Sequence, residues 1–415
     1  MERAHAITAL AGENIESVVS VLDAVRVSGA TTRPEIARVT RLGRNVVTDR
    51  AAQLIAAGLL TEGPLGRSTG GRAPRELRFN AAAGVILVAD LGATSIEVAT
   101  ADLAGSISNA RGEAADVTLG PTHILSRVAE LFDELVDSLP GDAHVWGVGV
   151  GLPGPVEFDT GRPVSPPIMP GWDGYDVRSF FASRYHAPVW VDNDVNVMAL
   201  GELRGGLAAG HQDVVFVKIG TGIGAGLVSR GLLHRGAQGC AGDIGHMAVG
   251  ESTVQCRCGQ LGCLEALAGG HALGRDGLEL AHSGQSPVLA GELAAGHEVT
   301  AQSVVDAALR GDPAARRLVT ESARLLGGAL ARVVNFFNPS LILIGGGVAS
   351  AGDLYLSQVR LAVLGRSLPL ATRHLEILQS PLADRAGLRG AAFMVVDELL
   401  SPAGLSRTHD QLLIS

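Results

Sequence analysis

Hydrophobic residues along this chain fall into two regimes. Beyond residue 80 there are short apolar runs without alternation, each opening into glycine: "GVILVADLGATSIEVATADLAG" (84–105), "VVFVKIGTGIGAGLVSRG" (214–231) and "LILIGGGVASAG" (341–352). Such runs predict strands buried on both faces. The first two read as strand, tight turn, strand. The third reads as a strand, a triple-glycine turn and a helix start. "APVWVDNDVNVMALGELRGG" (187–206) predicts a buried strand ending in "DND", then a helix with Val195, Met198, Ala199 and Leu203 on one face.

Before residue 80 the spacing is helical. Ile15, Val18, Val19, Leu22 and Val25 form one stripe, which Gly29 ends. "TTRPEIARVTRL" predicts a short helix with Thr32 as N-cap and Pro34 in its first turn. "RNVVTDRAAQLIAAGLL" predicts a third, closed by Gly58, and "LLTEGPLGRSTGGRAPRELRFN" a strand, a glycine-rich loop and a strand. Short helices about a tight turn, then a helix and a hairpin, make a winged helix-turn-helix. Arg44, Asn45, Thr48 and Arg50 would enter the major groove, with Arg72 and Arg75 of the wing on phosphates or in the minor groove. The plainer alternative is a small helical protein-interaction domain.

Charge favours DNA. Residues 31–80 hold nine arginines against four acids, a balance of +5 on a chain whose net charge is −9. A basic module on an acidic body fits nucleic-acid contact through one end. Charged residues at 18% and hydrophobic ones at 47% exclude a disordered chain. The absence of a membrane-length apolar run and of a signal-peptide order predicts a cytoplasmic protein.

Four cysteines in 415 residues make no disulfide framework, yet three lie within 256–263. His246, Cys256, Cys258 and Cys263 give H-x9-C-x-C-x4-C, the ligand count of a closed structural zinc site. Cys240 is left over and reads as a buried thiol. In the glycine turns, Asp90, Gly92 and Thr94 have the composition of a phosphate or metal-water cradle. Asn193 and Asp194 sit at a strand-to-helix junction. There a carboxylate can serve as a general base in phosphoryl transfer, or simply cap the helix.

Taken together, "DLGATS", "GLPGPV", "NDVNVMALGE", "IGTGIGAGLV", "GDIGHM", "CRCGQLGCLE" and "LILIGGGVASAG" resemble the ROK family (repressors, open reading frames and kinases) in content and order, over about residues 14–400. The resemblance implies an α/β, actin-like and hexokinase-like two-lobe ATPase fold behind the winged helix-turn-helix. The expected organisation is a DNA-binding domain over 1–80 and a sugar-kinase-like domain over 84–400. Its smaller lobe would span about 84–190 plus the C-terminal helix, its larger lobe about 191–385, and a tail would follow at 401–415.

The resemblance further implies zinc at His246, Cys256, Cys258 and Cys263. It places sugar at Gly161, Arg162, Asn193, Asp194, Asp243, His246 and Glu265, with Asp194 as the base in any kinase. ATP phosphates would meet Asp90, Gly92, Thr94, Thr221 and Gly222, and adenosine Gly345, Gly346 and Gly347, with Mg2+ alongside. Two departures bear on the sugar. Asp243 stands where the family has glutamate, and Ile168 where glucokinases often have asparagine. The expected function is a sugar-responsive regulator, in the sense of a repressor, acting on operator DNA with a sugar or sugar phosphate as effector and assembling as a dimer or tetramer. The alternatives are a sugar kinase that kept its DNA-binding module and a zinc-containing interaction protein.

Overall fold

Three helices open the computed structural model, which describes residues 15–65, 75–141, 143–250, 252–382 and 385–406. They are α1 (Ile15–Arg26), α2 (Arg33–Thr40) and α3 (Arg44–Ala56). Val18, Leu22 and Val25 of α1 share a core with Val47, Ala51 and Leu54 of α3. The start of α2 is fixed by a capping box. Thr32 Oγ1 accepts from Glu35 N–H at 3.4 Å, and the Glu35 carboxylate accepts from Thr32 N–H at 3.0 Å. A hairpin follows, β1 (Leu60–Leu65) antiparallel to β2 (Arg75–Phe79), tied to the helices by the Leu77 N–H on Thr31 O at 2.6 Å. This is the expected winged helix. Arg72, an expected DNA contact, lies outside the described residues.

The first lobe contains β3 (Val85–Leu91), β4 (Ser95–Asp102), β5 (Ile107–Ala114), α4 (Pro121–Asp137), β6 (Val145–Leu152), the short pair β7 (Val156–Glu157) and β8 (Arg162–Pro163), α5 (Val177–Tyr185) and β9 (Val189–Asn193). Its sheet has the order β5-β4-β3-β6-β9. β3 to β5 are antiparallel neighbours, and β6 and β9 join in parallel. The strand β9 carries this sheet to Asn193, past the expected divide near 190.

After α6 (Asp194–Gly205) the plan repeats. The second lobe runs through β10 (Val214–Ile219), β11 (Ile223–Ser229), β12 (Leu232–His234), α7 (Leu264–Ala268), α8 (Gly270–His282), α9 (Pro287–Ala294), α10 (Ala301–Leu309), α11 (Pro313–Phe337), β13 (Leu341–Gly345), α12 (Asp353–Leu364), α13 (Pro369–Thr372) and β14 (Glu376–Gln379). Its order β12-β11-β10-β13-β14 has the same two antiparallel and two parallel joins. All five residues of β13 are buried, as a strand flanked on both edges and covered on both faces requires. The runs at 84–105, 214–231 and 341–352 therefore supply inner strands of two like sheets, while the run before Asn193 forms the edge strand β9.

The last helix, α14 (Arg385–Leu399), returns to the first lobe and crosses α6 at backbone contact. A Cβ on Gly390 would stand 1.7 Å from Val197 O, and one on Gly201 2.1 Å from Ala386 O. Only glycine allows that approach. The winged helix has no separate core: Leu22, Leu54, Leu59 and Leu77 join one apolar cluster with Ile86, Val88, Trp190, Val395, Leu399 and Leu405. The segment expected as a tail thus begins ordered. Ser401–Ser406 forms a helical turn with Leu405 buried, while 407–415 lie outside the described residues. Among the described residues, no helix is long and apolar enough to cross a membrane.

Candidate functional site

The junction of β9 and α6 divides two tasks between neighbouring side chains. Asn193 is the N-cap: its Oδ1 accepts from Val195 N–H at 3.0 Å and Asn196 N–H at 3.3 Å, and its Nδ2 donates to Gly154 O at 2.9 Å. Capping therefore does not consume Asp194, which points into the space between the lobes. Asp194 Oδ2 accepts from Lys218 Nζ at 2.6 Å. Its Oδ1 accepts from Asn193 Nδ2 at 3.2 Å and from Val195 N–H at 2.9 Å. Both oxygens are engaged, in a side chain only 6% exposed.

Around this pair runs a cleft. The first lobe contributes Ala93, Pro153, Gly154, Pro155, Pro167 and Ile168. The second contributes Lys218, the Gly220–Ala225 turn, Gly239–Asp243, His246 and Glu265. Glu265 Oε2 accepts from Ile223 N–H at 3.1 Å, and a Cβ on Gly222 would fall 2.0 Å from that oxygen. The glycine there admits the carboxylate. Carboxylates, an amide, an imidazole and an ammonium converge on a partly apolar cleft, the donor and acceptor mix that a polyhydroxyl ligand needs.

His246 lies on the boundary between the cleft and the cysteine loop. Its Nδ1 is 3.5 Å from Cys256 Sγ, and its Nε2 is 3.9 Å from Asp243 Oδ1 on the cleft side. Cys258 and Cys263 Sγ are 3.7 Å apart, and one ligand atom from each of the four residues falls within 4.8 Å of the others. A tetrahedron with metal–sulfur bonds of ~2.3 Å has edges of about 3.8 Å, so the set fits zinc. Burial, with the Cys258 and Cys256 thiols adding to it, pushes the Cys263 thiol up to about 12. A divalent cation reverses that preference by binding the thiolates.

Other expected residues stand elsewhere. Gly161 and Arg162 are not among the cleft-lining residues. Arg162 is spent on Gly174 O and Asp176, both at 2.6 Å, on the β7–β8 hairpin. Thr221 and Gly222 line the cleft, but of the first glycine turn only Ala93 does. Thr94, beside it, is exposed, and Gly92 packs on Ser95. Asp90 lies under the start of α14, where a Cβ on Gly387 would meet its Oδ2 at 1.7 Å. Gly346, at φ +88°, seats the triple-glycine turn of Gly345–Gly347 on the Ile219 backbone, behind the Gly220–Gly222 turn. Cys240 is not a buried thiol: it is exposed, because the Gly239–Gly242 loop carrying it forms the cleft wall.

Two residues of the cleft region were not anticipated. Lys218 is the single charge inside the run "VVFVKI", an irregularity that could have flagged it. Arg235, from the second lobe, donates to the buried Asp192 at 2.6 Å and covers the Phe158 ring at 3.7 Å, clasping the first lobe. It has no local sequence signal.

On the face expected to read DNA, Arg44, Asn45 and Thr48 are exposed together at the start of α3. Arg50 is turned inward, its Nε donating to Ser17 Oγ at 2.8 Å and its Nη1 to Gln53 Oε1 at 3.1 Å. Arg75 is exposed at the start of β2, 3.8 Å from Glu62.

Comparison with known proteins follows this division of the molecule. The xylose repressor of Caldicellulosiruptor bescii is 30% identical over 374 residues, 89% of this chain and 92% of that protein. A glucokinase of Thermotoga maritima is 32% identical over 313 residues, 75% of this chain and 96% of the kinase. Among solved structures, a ROK family transcriptional regulator described as a homologue of the E. coli MLC protein superposes with a TM-score of 0.80, at 25% identity, over 96% of this chain and 99% of that one. The ROK family glucokinase of Streptomyces griseus, solved with glucose and AMPPNP, gives 0.65 at 31% identity over 75% of this chain and 99% of that one. The family model matches residues 86–398, and the chain belongs to the ROK family.

Proposed function

We propose that this protein is a transcriptional repressor that binds operator DNA through its winged helix and responds to a sugar held in the cleft. One observation carries the reading: the regulators match 89% and 96% of the chain, too much to leave out the N-terminal module, whereas the kinases match 75%, about the share that the two lobes make up. Arg44, Asn45 and Thr48 would face the major groove, with Arg75 on phosphate. Asn193, Asp194, Asp243, His246 and Glu265 would bind sugar hydroxyls. His246, Cys256, Cys258 and Cys263 would hold zinc as a closed, structural ion, leaving the cleft-facing edge of His246 fixed in place. The experiment is selection of DNA from a random pool by the purified protein, followed by titration of the selected fragment with D-xylose and D-glucose. A chain that enriches no DNA sequence would sink the reading.

A second reading, a sugar kinase, is favoured by the seating of Asp194 beside the Thr221–Gly222 turn. Against it, Lys218 holds Asp194 Oδ2 at 2.6 Å, and an ammonium at that distance lowers the basicity a hydroxyl proton would need. ATP consumption in the presence of glucose or xylose, with Mg2+, tests it directly.

A further inference from the structure

Asp397, near the end of α14, binds two arginines that belong to different parts of the molecule. Arg204, at the end of α6, donates to its Oδ2. Arg26, at the end of α1 in the winged helix, donates to Asp23 of its own helix at 3.0 Å and turns its Nη1 to within 3.7 Å of Asp397 Oδ1, an ion pair without a hydrogen bond. The opposite end of α6 is the Asn193–Asp194 corner of the cleft. We propose that Asp397 is the positioning residue that couples the cleft to the DNA-reading helices, through α6 and α14 moving as one body. The proposal rests on the reading of the chain as a ligand-responsive DNA-binding protein.

Three features support it. The backbone contacts at Gly201 and Gly390 leave α6 and α14 no room to slide independently. Helix α6 has 12 residues, about 18 Å, so a tilt of roughly 5° about its first turn moves Arg204 by about 1.5 Å. On the far side, α1 shares its core with α3, so a displaced Arg26 carries the exposed Arg44–Thr48 face with it. The three side chains are 15–34% exposed, which limits screening by salt. A ligand that holds the cleft in one of two shapes would bias the winged helix by its differential affinity for them.

Hydrogen exchange on the full chain reads this joint without DNA or ligand. Arg204→Met alters no side chain of the winged helix, yet should speed exchange of the α1 amides about fivefold or more, as Arg26→Met does. The double variant should add nothing beyond either single change. Unchanged α1 exchange in Arg204→Met, or fully additive effects, overturns the proposal. A second arm uses Asp397→Asn with D-xylose and D-glucose as probes and a DNA fragment selected by the wild type. Sugar Kd by calorimetry should stay within about twofold, while the sugar-induced change in DNA affinity shrinks at least tenfold. An undiminished response in Asp397→Asn also overturns the proposal. A wild type whose DNA affinity ignores both sugars, with the exchange coupling present, supports the joint and counts against the functional reading.

Discussion

Asp312 shows how much one capping carboxylate does in this fold. It is 4% exposed, and its Oδ1 accepts from Ala314 and Ala315 N–H, both at 3.0 Å, at the start of the 25-residue α11. Its Oδ2 accepts from Ser286 Oγ at 2.7 Å, which ties in α9. Burial works against the charge, but the N–H of Ala315, the Ser286 hydroxyl and the N–H of Ala314 outweigh it and hold the carboxyl below its ordinary 3.8. The folded state therefore binds this proton less readily than the unfolded one. The stabilisation is full above pH ~4–5 and is lost as pH falls below 3.8 through the depressed value. Asp312→Ala should cost about 1–3 kcal/mol at pH 7, and Asp312→Asn should restore most of it while flattening this part of the acid limb. Urea unfolding at pH 7 and pH 3 checks both. At the cleft, Asp194→Asn retains an acceptor for a sugar hydroxyl but no base. Any ATP consumption should disappear while sugar-dependent DNA binding persists, and loss of the sugar response itself would count against the repressor reading. At the metal set, Cys258→Ser should lower zinc content from about one per chain toward zero and weaken sugar binding through His246. Metal analysis with calorimetry tests that pair. The set was legible because one histidine and three cysteines at metal-ligand spacing sit within 18 positions of sequence, 246–263. The division of labour between Asn193 and Asp194 was not, since either residue type caps a helix and only the three-dimensional setting of Lys218 separates them.

The helices and strands make sharper demands. The face of α3 that carries Arg44, Asn45 and Thr48 is exposed, so their replacement should spare the fold and strike DNA binding. Arg44→Ala should reduce the slope of log K against log salt by roughly 0.9, the signature of one lost phosphate contact, or relax sequence preference if it reads a base. Arg50→Ala should behave differently, lowering thermal stability through its lost bond to Ser17 and leaving the salt slope alone. The crossing of α6 and α14 is the least tolerant contact. Gly390→Ala places a methyl 1.7 Å from Val197 O and should destabilise by at least about 2 kcal/mol in chemical unfolding. Strands and capped helices were readable one at a time, because apolar runs, Thr32 with Glu35, and the glycine turns are local patterns. The crossing was not. Gly201 and Gly390 lie far apart in sequence, and a glycine kept for close approach looks like any other until its neighbour is known. The partner of Arg162 was hidden for the same reason, since Asp176 lies 14 positions further along the chain.

For the whole molecule, the pairing of two like sheets around a shared cleft follows from the repeated strand–glycine–strand plan. The fusion of the winged helix to the first lobe does not, because it depends on Leu399 and Leu405 packing back against residues at the other end of the chain. The winged helix and first lobe should therefore unfold in a single transition. Calorimetry resolving a separate low-temperature melt for residues 15–80 would contradict this. A truncation keeping only 81–415 should lose DNA binding but also stability, so its loss of binding must be judged against a Tm measured in parallel. The shared core has a further consequence for how such proteins can be recombined. A DNA reader whose underside is completed by the last helix of its sensor is not an exchangeable cartridge. A chimera that borrows only the first eighty residues from a relative inherits mismatched packing along Val395, Leu399 and Leu405. New specificity in this lineage should come more readily from rewriting the few exposed positions of α3 than from swapping readers between chains.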